Sequence, residues 1–422
     1  MAYKVGSIGT EVKEIQGILK KLGYYSGPLD GIYGTGTANA VRLLQRRYGL
    51  NEDGIIGSKT YSVIERLLSG YDYYTIRPGD TISKVASKYR TNIYSIITAN
   101  NNIDPYSLQV GQQLIIPYSY PIVQTDIDYT YNILRRNILS LKRLYPFITI
   151  GSIGKSVLGR ELYFIKLGQG SNIVFYNGAH HSLEWITSPL LMKFTENFLR
   201  AYTLKQTILG YDVSEIWENS TIYIVPMVNP DGVELVLNGL SPANPYYNNL
   251  LRWNNGSKDF SKTWSANNRG VDLNHNYNAS WQEAKNLEQS QGVFGPGPTR
   301  YGGPYPESEP ETRAMVKFTR GHNFRLVLAY HSQGEIIYWT YDDINPPDAR
   351  RIGETLSRAS GYTLETPSGI TAYGGYKDWF IKEFQKPGYT IEVGHGTNPL
   401  PISQFSEIYR DNIELLLLAA II

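Results

Sequence analysis

The sequence predicts a multidomain protein in which two small N-terminal modules precede a larger open α/β domain. Three observations support this prediction. At 422 residues the chain is too long for one ordinary domain. Apolar residues recur at helical spacing over the first 70 residues, with turn residues between the runs. Beyond residue 170, three apolar runs typical of buried strands each lead to side chains that can bind metals or protons.

The first segment, residues 1–70, is predicted to be a three-helix bundle. Two similar turns, residues 30–34 and 53–57, both begin Asp-Gly-Ile and separate the helices. This segment resembles, over nearly its whole length, the peptidoglycan-binding helical domain of bacterial cell-wall hydrolases. The apolar positions at helical spacing are Val12, Ile15, Leu19 and Leu22, then Ala38, Val41, Leu44 and Tyr48, then Val63, Ile64, Leu67 and Leu68.

The second segment, residues 71–118, is predicted to be a βααβ module. We expect strands over residues 74–76 and 113–116, and helices over residues 82–89 and 93–99. Both ends resemble a LysM domain, a module that binds glycans containing N-acetylglucosamine. The resemblance implies a second wall anchor, and the alternative is a module that binds another protein. The groove is expected between residues 102–105 and a loop formed by Gly79, Asp80, Thr81 and Ile82.

The third segment, residues 119–422, contains three predicted strands with chemically useful residues at their carboxyl ends. The strand at 172–176 is followed by His181 and Glu184 and then by a helical pattern. The strand at 324–330 leads to His331, and the strand at 388–393 contains Glu392 near its end. Because sites in open α/β sheets lie beyond the carboxyl ends of the strands, we expect these side chains at one edge.

Two imidazoles and a carboxylate are the ligand set of a catalytic zinc ion with one position left for water. His181, Glu184 and His331 provide that set, and Glu392 is a further carboxylate that can act on the water. A His-x-x-Glu match is frequent by chance, so the strand-terminal positions carry the prediction. His180 stands four residues before Glu184 and is the alternative ligand.

Composition excludes some classes of protein. The formal net charge is +2 and the longest basic clusters are pairs, so nucleic acid is not an expected partner. There are no cysteines, which excludes disulfides and thiolate metal sites. Residues 1–6 lack the apolar core of a signal peptide, and the apolar run at 415–422 is too short to span a bilayer.

From about residue 122 onward the chain resembles the zinc carboxypeptidase family, also called funnelins. Four stretches carry the resemblance: residues 178–185, 228–232, 270–277 and 389–392. It implies an α/β/α fold with a mixed sheet, zinc held by His181, Glu184 and His331, and Glu392 as general base. The family's three-residue ligand spacing favours His181 over His180, which then has a supporting or structural role.

The sequence departs from the family pattern at positions that contact substrate. Ser265 stands where an arginine usually stabilises the oxyanion, and Arg269 or Lys262 is the candidate replacement. Asn274 and His275 replace an Asn-Arg carboxylate clamp. The position of the family's usual tyrosine falls on Ile370, so its role is either vacant or taken by Tyr373. Lys377 occupies the family's pocket-floor position, where a cation favours an acidic side group, and the alternative for it is a solvated surface lysine.

The Asp-Leu-Asn-His-Asn stretch and the two wall-binding modules resemble the γ-D-glutamyl-meso-diaminopimelate peptidase branch of the family. We therefore expect cleavage of that bond in peptidoglycan stem peptides. The alternatives are a carboxypeptidase that trims the C-terminal residue of wall peptides and a non-catalytic wall-binding protein. The expected location is the cell wall or the spore, with the cytoplasm or the mother cell as the alternative.

Two other histidines and two polar stretches complete the predictions. His322 lies at a probable helix end and is predicted to be structural. His395 either lines the cleft or caps a turn. Residues 237–268 and 292–310 have few periodic apolar positions, so we expect long loops at the rim of the site.

Overall fold

A computed structural model describes residues 2–367 and 373–422 of the chain. These residues form two compact units. The first extends to Asp128 and includes Leu139–Phe147, and the second consists of Tyr129–Ile138 and Ile148–Ile422. Among the described residues, no helix combines the length and apolar character that crossing a bilayer requires.

The first unit begins with the three predicted helices. The apolar faces of these helices meet in one core. It contains Val12, Leu19, Val41, Leu44 and Ile64, each of which is at most 1% exposed. The helical periodicity of the sequence is therefore explained by burial of one face of each helix. The helices are α1 (Thr10–Lys21), α2 (Thr35–Arg47) and α3 (Ser58–Leu68).

A buried glutamine anchors each Asp-Gly-Ile turn. The Gln16 amide donates to Asp30 Oδ1 and to the Ile32 carbonyl, and its oxygen accepts from the Gly31 N–H. Gln45 makes the same set of contacts with the second turn. Gly31 has a φ of +71°, and a Cβ there would meet the Gly9 carbonyl at 3.0 Å, so the turn requires glycine.

The βααβ module follows in the same unit. Both helices have the predicted bounds, and each begins at a side-chain cap, Thr81 for the first and Asn92 for the second. The first strand starts three residues before its predicted position and pairs antiparallel with the second. The elements are β1 (Tyr71–Thr75), α4 (Ile82–Tyr89), α5 (Ile93–Ala99) and β2 (Gln113–Pro117).

The second unit contains an eight-stranded mixed sheet. Its four central strands, in the spatial order β12, β9, β5, β8, are parallel to one another, and the pairs β8–β4, β4–β3 and β12–β10 are antiparallel. The predicted mixed sheet is confirmed. The strands are β3 (Thr149–Lys155), β4 (Glu161–Gly168), β5 (Asn172–Gly178), β8 (Ser220–Val225), β9 (Leu326–His331), β10 (Ile336–Tyr338), β11 (Thr363–Glu365) and β12 (Gly388–Glu392), while β6 (Thr207–Ile208) and β7 (Tyr211–Asp212) form a separate hairpin.

Helices cover both faces of this sheet, as predicted. The helices are α6 (Tyr131–Leu144, shared with the first unit), α7 (Thr187–Leu204), α8 (Val213–Asn219), α9 (Pro230–Asn238), α10 (Tyr247–Trp253), α11 (Trp281–Ser290), α12 (Pro310–Arg320), α13 (Ala349–Ser360), α14 (Tyr376–Phe384) and α15 (Phe405–Ile421). Phe175 of β5 packs on Phe318 of α12 and on Tyr376 of α14. The next residue, Tyr176, donates its hydroxyl to the Leu416 carbonyl of α15. Consecutive strand residues point to opposite faces, so α12 and α14 lie on one face and α15 on the other.

The loop predictions were correct for one stretch and wrong for part of the other. Residues 292–309 contain no helix or strand in the structure. Residues 237–268 include α10, a two-turn helix with one buried residue, Leu250, which gives too little periodicity to be recognised. His322 follows the end of α12, as predicted, and packs on Phe318 and Phe324.

Candidate metal centre

Three adjacent parallel strands position the candidate site. β5, β9 and β12 are neighbours in the sheet, and their carboxyl ends lie at one edge. β5 ends at Gly178, three residues before His181, while His331 and Glu392 are the last residues of β9 and β12. His331 and Glu392 are paired in register, so their side chains point to the same face of the sheet. The predicted convergence is confirmed.

The side chains of His181, Glu184 and His331 converge on one point. Nδ1 of His181 lies 3.0 Å from Oε1 of Glu184 and 3.3 Å from Nδ1 of His331. Nδ1 of His331 lies 2.8 Å from Oε2 of Glu184. Glu184 is 6% exposed and His331 is 1% exposed, so the cluster is largely shielded from solvent.

This geometry fits a tetrahedral zinc ion. Zinc–nitrogen bonds of about 2.0–2.1 Å at a tetrahedral centre place two ligand nitrogens about 3.3–3.4 Å apart. The two Nδ1 atoms are separated by 3.3 Å, and one ligand atom from each of the three residues lies within 4.8 Å of the others. Two imidazoles and a carboxylate leave a fourth coordination position open, which is typical of a catalytic site.

Electrostatics within the cluster also favour a cation. Burial would raise the pKa of Glu184, but the neighbouring His181 and His331 outweigh it and lower that pKa to about 2. Burial would lower the pKa of His181, whereas the carboxylates of Glu184 and Asp272 raise it well above its ordinary value. The cluster therefore holds its carboxylate in the ionised form that a metal ligand requires.

Asp272 orients His181 from the side opposite Glu184. Its Oδ1 lies 3.1 Å from Nε2 of His181, so the Nε2–H can be donated to the carboxylate while Nδ1 faces the cluster. Its Oδ2 accepts from the Arg300 N–H at 2.9 Å. Despite burial, the interaction with the imidazole of His181, and after it that with His275, lowers the pKa of Asp272 far below its usual range.

His180, the alternative ligand, points away from the cluster. Its Nε2 lies 2.9 Å from the Tyr277 hydroxyl, and its ring stacks on that of His331 at 5.6 Å. Burial and the neighbouring His331 hold the pKa of His180 well below its ordinary value. A neutral, buried ring in this position packs against a ligand residue and is not itself a ligand.

Glu392 is a carboxyl group with an altered acidity beside the cluster. Burial, and after it the negative charge of Glu184, raise the pKa of Glu392 well above its ordinary value, and His181 opposes this shift. Such a carboxyl group takes up a proton more readily than an ordinary glutamate, which is the property expected of a general acid–base.

Comparison with known proteins identifies the family. The model of the zinc carboxypeptidase family matches residues 134–415. The chain belongs to the zinc carboxypeptidase family. Models of a peptidoglycan-binding domain and of the LysM domain match residues 8–64 and 74–117, so the family's catalytic domain is preceded here by two modules of wall-binding type. The cofactor of this domain is zinc, and His181, Glu184 and His331 form a group that could hold it.

One relative is similar over most of the chain. The γ-D-glutamyl-L-diamino acid endopeptidase 1 of Lysinibacillus sphaericus is 40% identical over 394 residues, which cover 81% of this chain and 98% of that protein. Two solved structures share the fold. Carboxypeptidase A of Helicoverpa armigera has a TM-score of 0.53 at 17% identity, covering 99% of this chain and 96% of that one. Bovine thrombin-activatable fibrinolysis inhibitor has a TM-score of 0.52 at 19% identity, covering 70% of this chain and 97% of that one.

The substrate residues expected from the zinc carboxypeptidase resemblance lie close to one another. Asn274 Oδ1 accepts from the Tyr376 N–H at 3.0 Å, at the start of α14. Lys377, the next residue of α14, is 3% exposed, so the alternative of a solvated surface lysine is wrong. Its ammonium contacts the Thr340 carbonyl and the Asp378 carboxylate. Tyr373 packs at the edge of the core that contains α14, and Ile370 lies outside the described residues.

His275 is a largely neutral neighbour of the cluster. Burial lowers the pKa of its imidazole, and the charges of His181 and Arg300 add to this effect while Asp272 opposes it. Its Nδ1 has no partner among the described residues. The substrate roles of Asn274, His275, Tyr373 and Lys377 stay predictions.

The arginine predicted to replace the family's oxyanion residue has other contacts. The Arg269 guanidinium donates to the Tyr246 hydroxyl at 3.4 Å and lies 3.7 Å from Glu309. Ser265 contributes its carbonyl to the Ser182 N–H, and Lys262 is exposed. A role for Arg269 at the oxyanion receives no support from these contacts and stays a prediction.

Asn398 is a site residue that the sequence analysis missed. Its amide donates to the Ser332 carbonyl at 2.6 Å and to Glu184 Oε1 at 3.4 Å, and its oxygen accepts from the Ser332 hydroxyl at 2.7 Å. The Ser332 carbonyl can only accept, which fixes the orientation of the amide. Asn398 lies in the loop after β12, and no spacing rule connects it with Glu184, 214 residues earlier.

The residues predicted to bind glycan differ in accessibility. Gly79 is exposed with a φ of +79°, and Asp80 accepts from the Tyr74 hydroxyl and from the Arg77 N–H. Thr81 caps α4. The Ile82 side chain is 4% exposed and belongs to the core of the module, so only its backbone could contact a glycan.

Proposed function

We propose that the chain hydrolyses the amide bond between γ-D-glutamate and meso-diaminopimelate in peptidoglycan stem peptides. The observation that carries the hydrolytic part is the convergence of His181, Glu184 and His331 with Glu392 at one sheet edge. The substrate class is supported by the 40% identical relative, whose name specifies a γ-D-glutamyl-L-diamino acid bond.

Each group of residues in the site would have a separate role in amide hydrolysis. His181, Glu184 and His331 would hold zinc, which when bound would supply Lewis acidity toward the scissile carbonyl and lower the pKa of a water to about 7. Glu392 removes a proton from the attacking water and later delivers it to the leaving amine. Burial, and after it the negative charge of Glu184, raises the pKa of Glu392, which makes its carboxylate a stronger proton acceptor than an ordinary glutamate. Asp272 keeps His181 in the tautomer that directs Nδ1 into the cluster.

The leaving group would be recognised near the start of α14. Diaminopimelate carries a carboxylate and an amine at its far end, and Lys377 can donate to that carboxylate. Asp378 offsets the charge of Lys377, so the ammonium would contribute a directed hydrogen bond rather than a net positive charge. Asn274, His275 and Tyr373 would complete the contacts, with His275 as a largely neutral donor or acceptor.

The two N-terminal modules would hold the enzyme on its insoluble substrate. Tethering converts the encounter with stem peptides into an intramolecular event with a high effective concentration. The glycan contact in the LysM module is proposed at Gly79, Asp80 and Thr81, with the backbone of Ile82. This arrangement favours a location at the cell wall or at the spore.

Digestion of defined stem peptides tests the proposal. Incubation with L-Ala-γ-D-Glu-meso-diaminopimelate, followed by mass spectrometry, should give L-Ala-γ-D-Glu and free diaminopimelate. A tetrapeptide with a C-terminal D-alanine distinguishes the alternatives: release of alanine alone, with the γ-glutamyl bond intact, would establish a carboxypeptidase. If no peptide is cleaved by the zinc-loaded protein although it binds peptidoglycan, the chain is a wall-binding protein without this activity.

A further inference from the structure

Arg300 lies in the loop between α11 and α12 and is fixed next to the metal cluster by its backbone. Its N–H donates to Oδ2 of Asp272 at 2.9 Å, and Oδ1 of the same carboxylate lies 3.1 Å from Nε2 of His181. Two hydrogen bonds thus connect the backbone of Arg300 to a metal ligand. Its φ is +67°, in the left-handed region that non-glycine residues rarely adopt.

The residues on either side of Arg300 also contact Asp272. Thr299 Oγ1 lies 3.3 Å from Oδ2 of Asp272, and the Tyr301 carbonyl accepts from the Asp272 N–H at 2.8 Å. Three consecutive loop residues therefore contact one buried aspartate. A backbone held in a strained conformation by this many contacts is typical of a segment that positions a side chain.

Among the described residues, the Arg300 guanidinium has no carboxylate partner, unlike three other cations of the catalytic domain. Arg160 pairs with Asp231, Arg269 with Glu309 and Lys377 with Asp378. Arg300 is exposed, and its described side-chain partner is the neutral Gln291, whose Oε1 accepts at 2.9 Å. An arginine with a neutral partner keeps its full charge and most of its donors for a ligand.

The charge of Arg300 also reaches the cleft. Burial is the first cause that lowers the pKa of His275, and the positive charge of Arg300 adds to it. His275 occupies the position of the family's carboxylate-binding arginine, and Ser265 that of its oxyanion arginine. Both expected guanidinium groups are therefore missing from their usual positions, while the backbone of Arg300 is bound to Asp272, three residues before His275.

We propose that Arg300 binds a free carboxylate of the substrate next to the scissile bond. This inference rests on the proposed function, because the γ-linked stem peptide carries such carboxylates on both sides of the bond. A γ-glutamyl residue keeps its α-carboxylate free, and diaminopimelate has carboxylates of its own. A bidentate arginine–carboxylate pair fixes both the position and the orientation of the bound group.

Binding to a turnover-deficient protein tests the inference separately from cleavage. In a Glu392→Gln background, the Kd for L-Ala-γ-D-Glu-meso-diaminopimelate is measured by calorimetry with and without Arg300→Gln. Charged hydrogen bonds of this kind predict that Arg300→Gln raises the Kd about 10-fold or more. Arg300→Lys should recover part of the affinity, because it restores the charge without the planar fork.

Amidated ligands identify the carboxylate. One peptide has the D-glutamate α-carboxylate amidated, and another has the diaminopimelate carboxylates amidated. The modification that removes the recognised group should weaken binding to the protein with Arg300 intact and have no further effect once Arg300 is glutamine. If this pattern is seen with the first peptide, Arg300 binds the α-carboxylate of D-glutamate. If it is seen with the second peptide, Arg300 binds a carboxylate of diaminopimelate.

Two results would overturn the inference. One is an unchanged Kd in Arg300→Gln. The other is that, for both amidated peptides, amidation raises the Kd by the same factor whether residue 300 is arginine or glutamine. Arg350→Gln is the matched control, since Arg350 is an exposed arginine of α13 that pairs with Glu354, and it should leave the Kd unchanged. Zinc content is measured in each variant. Failure of the proposed function would appear differently, as an intact γ-glutamyl bond after digestion by the unmodified protein.

Discussion

Asp272 and His181 form the contact that sets the orientation of the metal centre, with Oδ1 of Asp272 3.1 Å from Nε2 of His181. Loss of such a supporting carboxylate typically weakens metal affinity about 10- to 100-fold. Asp272→Ala should therefore lower zinc affinity by that amount, measured by competition with a chromophoric chelator. Asp272→Asn should show a smaller loss, because its amide oxygen can still accept from His181. Equal affinity in all three proteins would contradict this prediction.

Asn398 should stabilise the ionised form of Glu184 in the same way. Removal of its amide in Asn398→Ala takes a donor from Glu184 Oε1 and leaves the Ser332 carbonyl without its partner. We expect a zinc affinity about 10-fold lower. Asn398→Asp should be worse, since it places a second carboxylate beside Glu184. Asn286→Ala, at an exposed position of α11, is the control and should bind zinc normally.

Glu392 should affect turnover but not metal binding. Glu392→Gln preserves the size of the side chain and removes the proton acceptor, so kcat should fall between about 10²- and 10⁴-fold. Zinc content, measured by atomic absorption, should be unchanged because Glu392 is not part of the ligand cluster. A variant that loses both zinc and activity would show instead that Glu392 is needed to build the site.

The strands and ligands of the site were predictable because each is encoded locally. A buried parallel strand is a continuous apolar run, and the chemistry follows at its carboxyl end, so His331 and Glu392 could be located from a few neighbouring residues. The bounds of α4 and α5 agree with the prediction, and each helix begins directly after a cap residue, Thr81 or Asn92, so its start is also encoded locally.

Loop residues that contact the site only because of how the loop folds could not be predicted from the sequence. Asn398 reaches Glu184 because the chain after β12 folds back over the cluster, and Arg300 reaches Asp272 because of a loop without periodicity. Neither contact leaves a spacing pattern in the sequence. The same reason applies to Gln16 and Gln45, whose polar side chains would ordinarily be assigned to the surface of a helix.

Gln45 should contribute more to stability than an ordinary helical glutamine. Gln45→Ala leaves the Gly54 N–H without its partner and removes one of the two donors to the Ile55 carbonyl, at a site where Gln45 is 1% exposed. Each buried unsatisfied group costs about 1–3 kcal/mol, so the free energy of unfolding of the first unit should fall by about that amount or more. Gln16→Ala should behave alike, because its contacts repeat those of Gln45.

Urea unfolding, followed by tyrosine fluorescence and circular dichroism, measures this change. Gln282→Ala is the matched control, since Gln282 is an exposed glutamine of α11 and its loss should change stability by less than about 0.5 kcal/mol. If Gln45→Ala were as stable as this control, the turn would not depend on the buried amide.

Glu311 should make the stability of the catalytic domain depend on pH. Burial raises the pKa of this fully buried carboxyl group to about 8, the Val157 N–H opposes the shift, and Asp231 and Glu309 add to it. The folded protein therefore retains a proton that the unfolded chain releases near its ordinary pKa. The stabilisation is complete below that ordinary pKa and is lost as the pH rises toward 8, at a rate of up to about 1.4 kcal/mol per pH unit.

Glu311→Gln tests this dependence because the amide is neutral at every pH and keeps an oxygen that can accept from the Val157 N–H. Relative to the unmodified protein, the free energy of unfolding of Glu311→Gln should increase by a few kcal/mol between pH 5 and pH 8, on the order expected from linkage. Glu383→Gln, at a partly exposed ion pair with Arg320, is the control and should follow the unmodified protein. A difference between Glu311→Gln and the unmodified protein that stays constant from pH 5 to pH 8 would mean that Glu311 is ionised in the folded state.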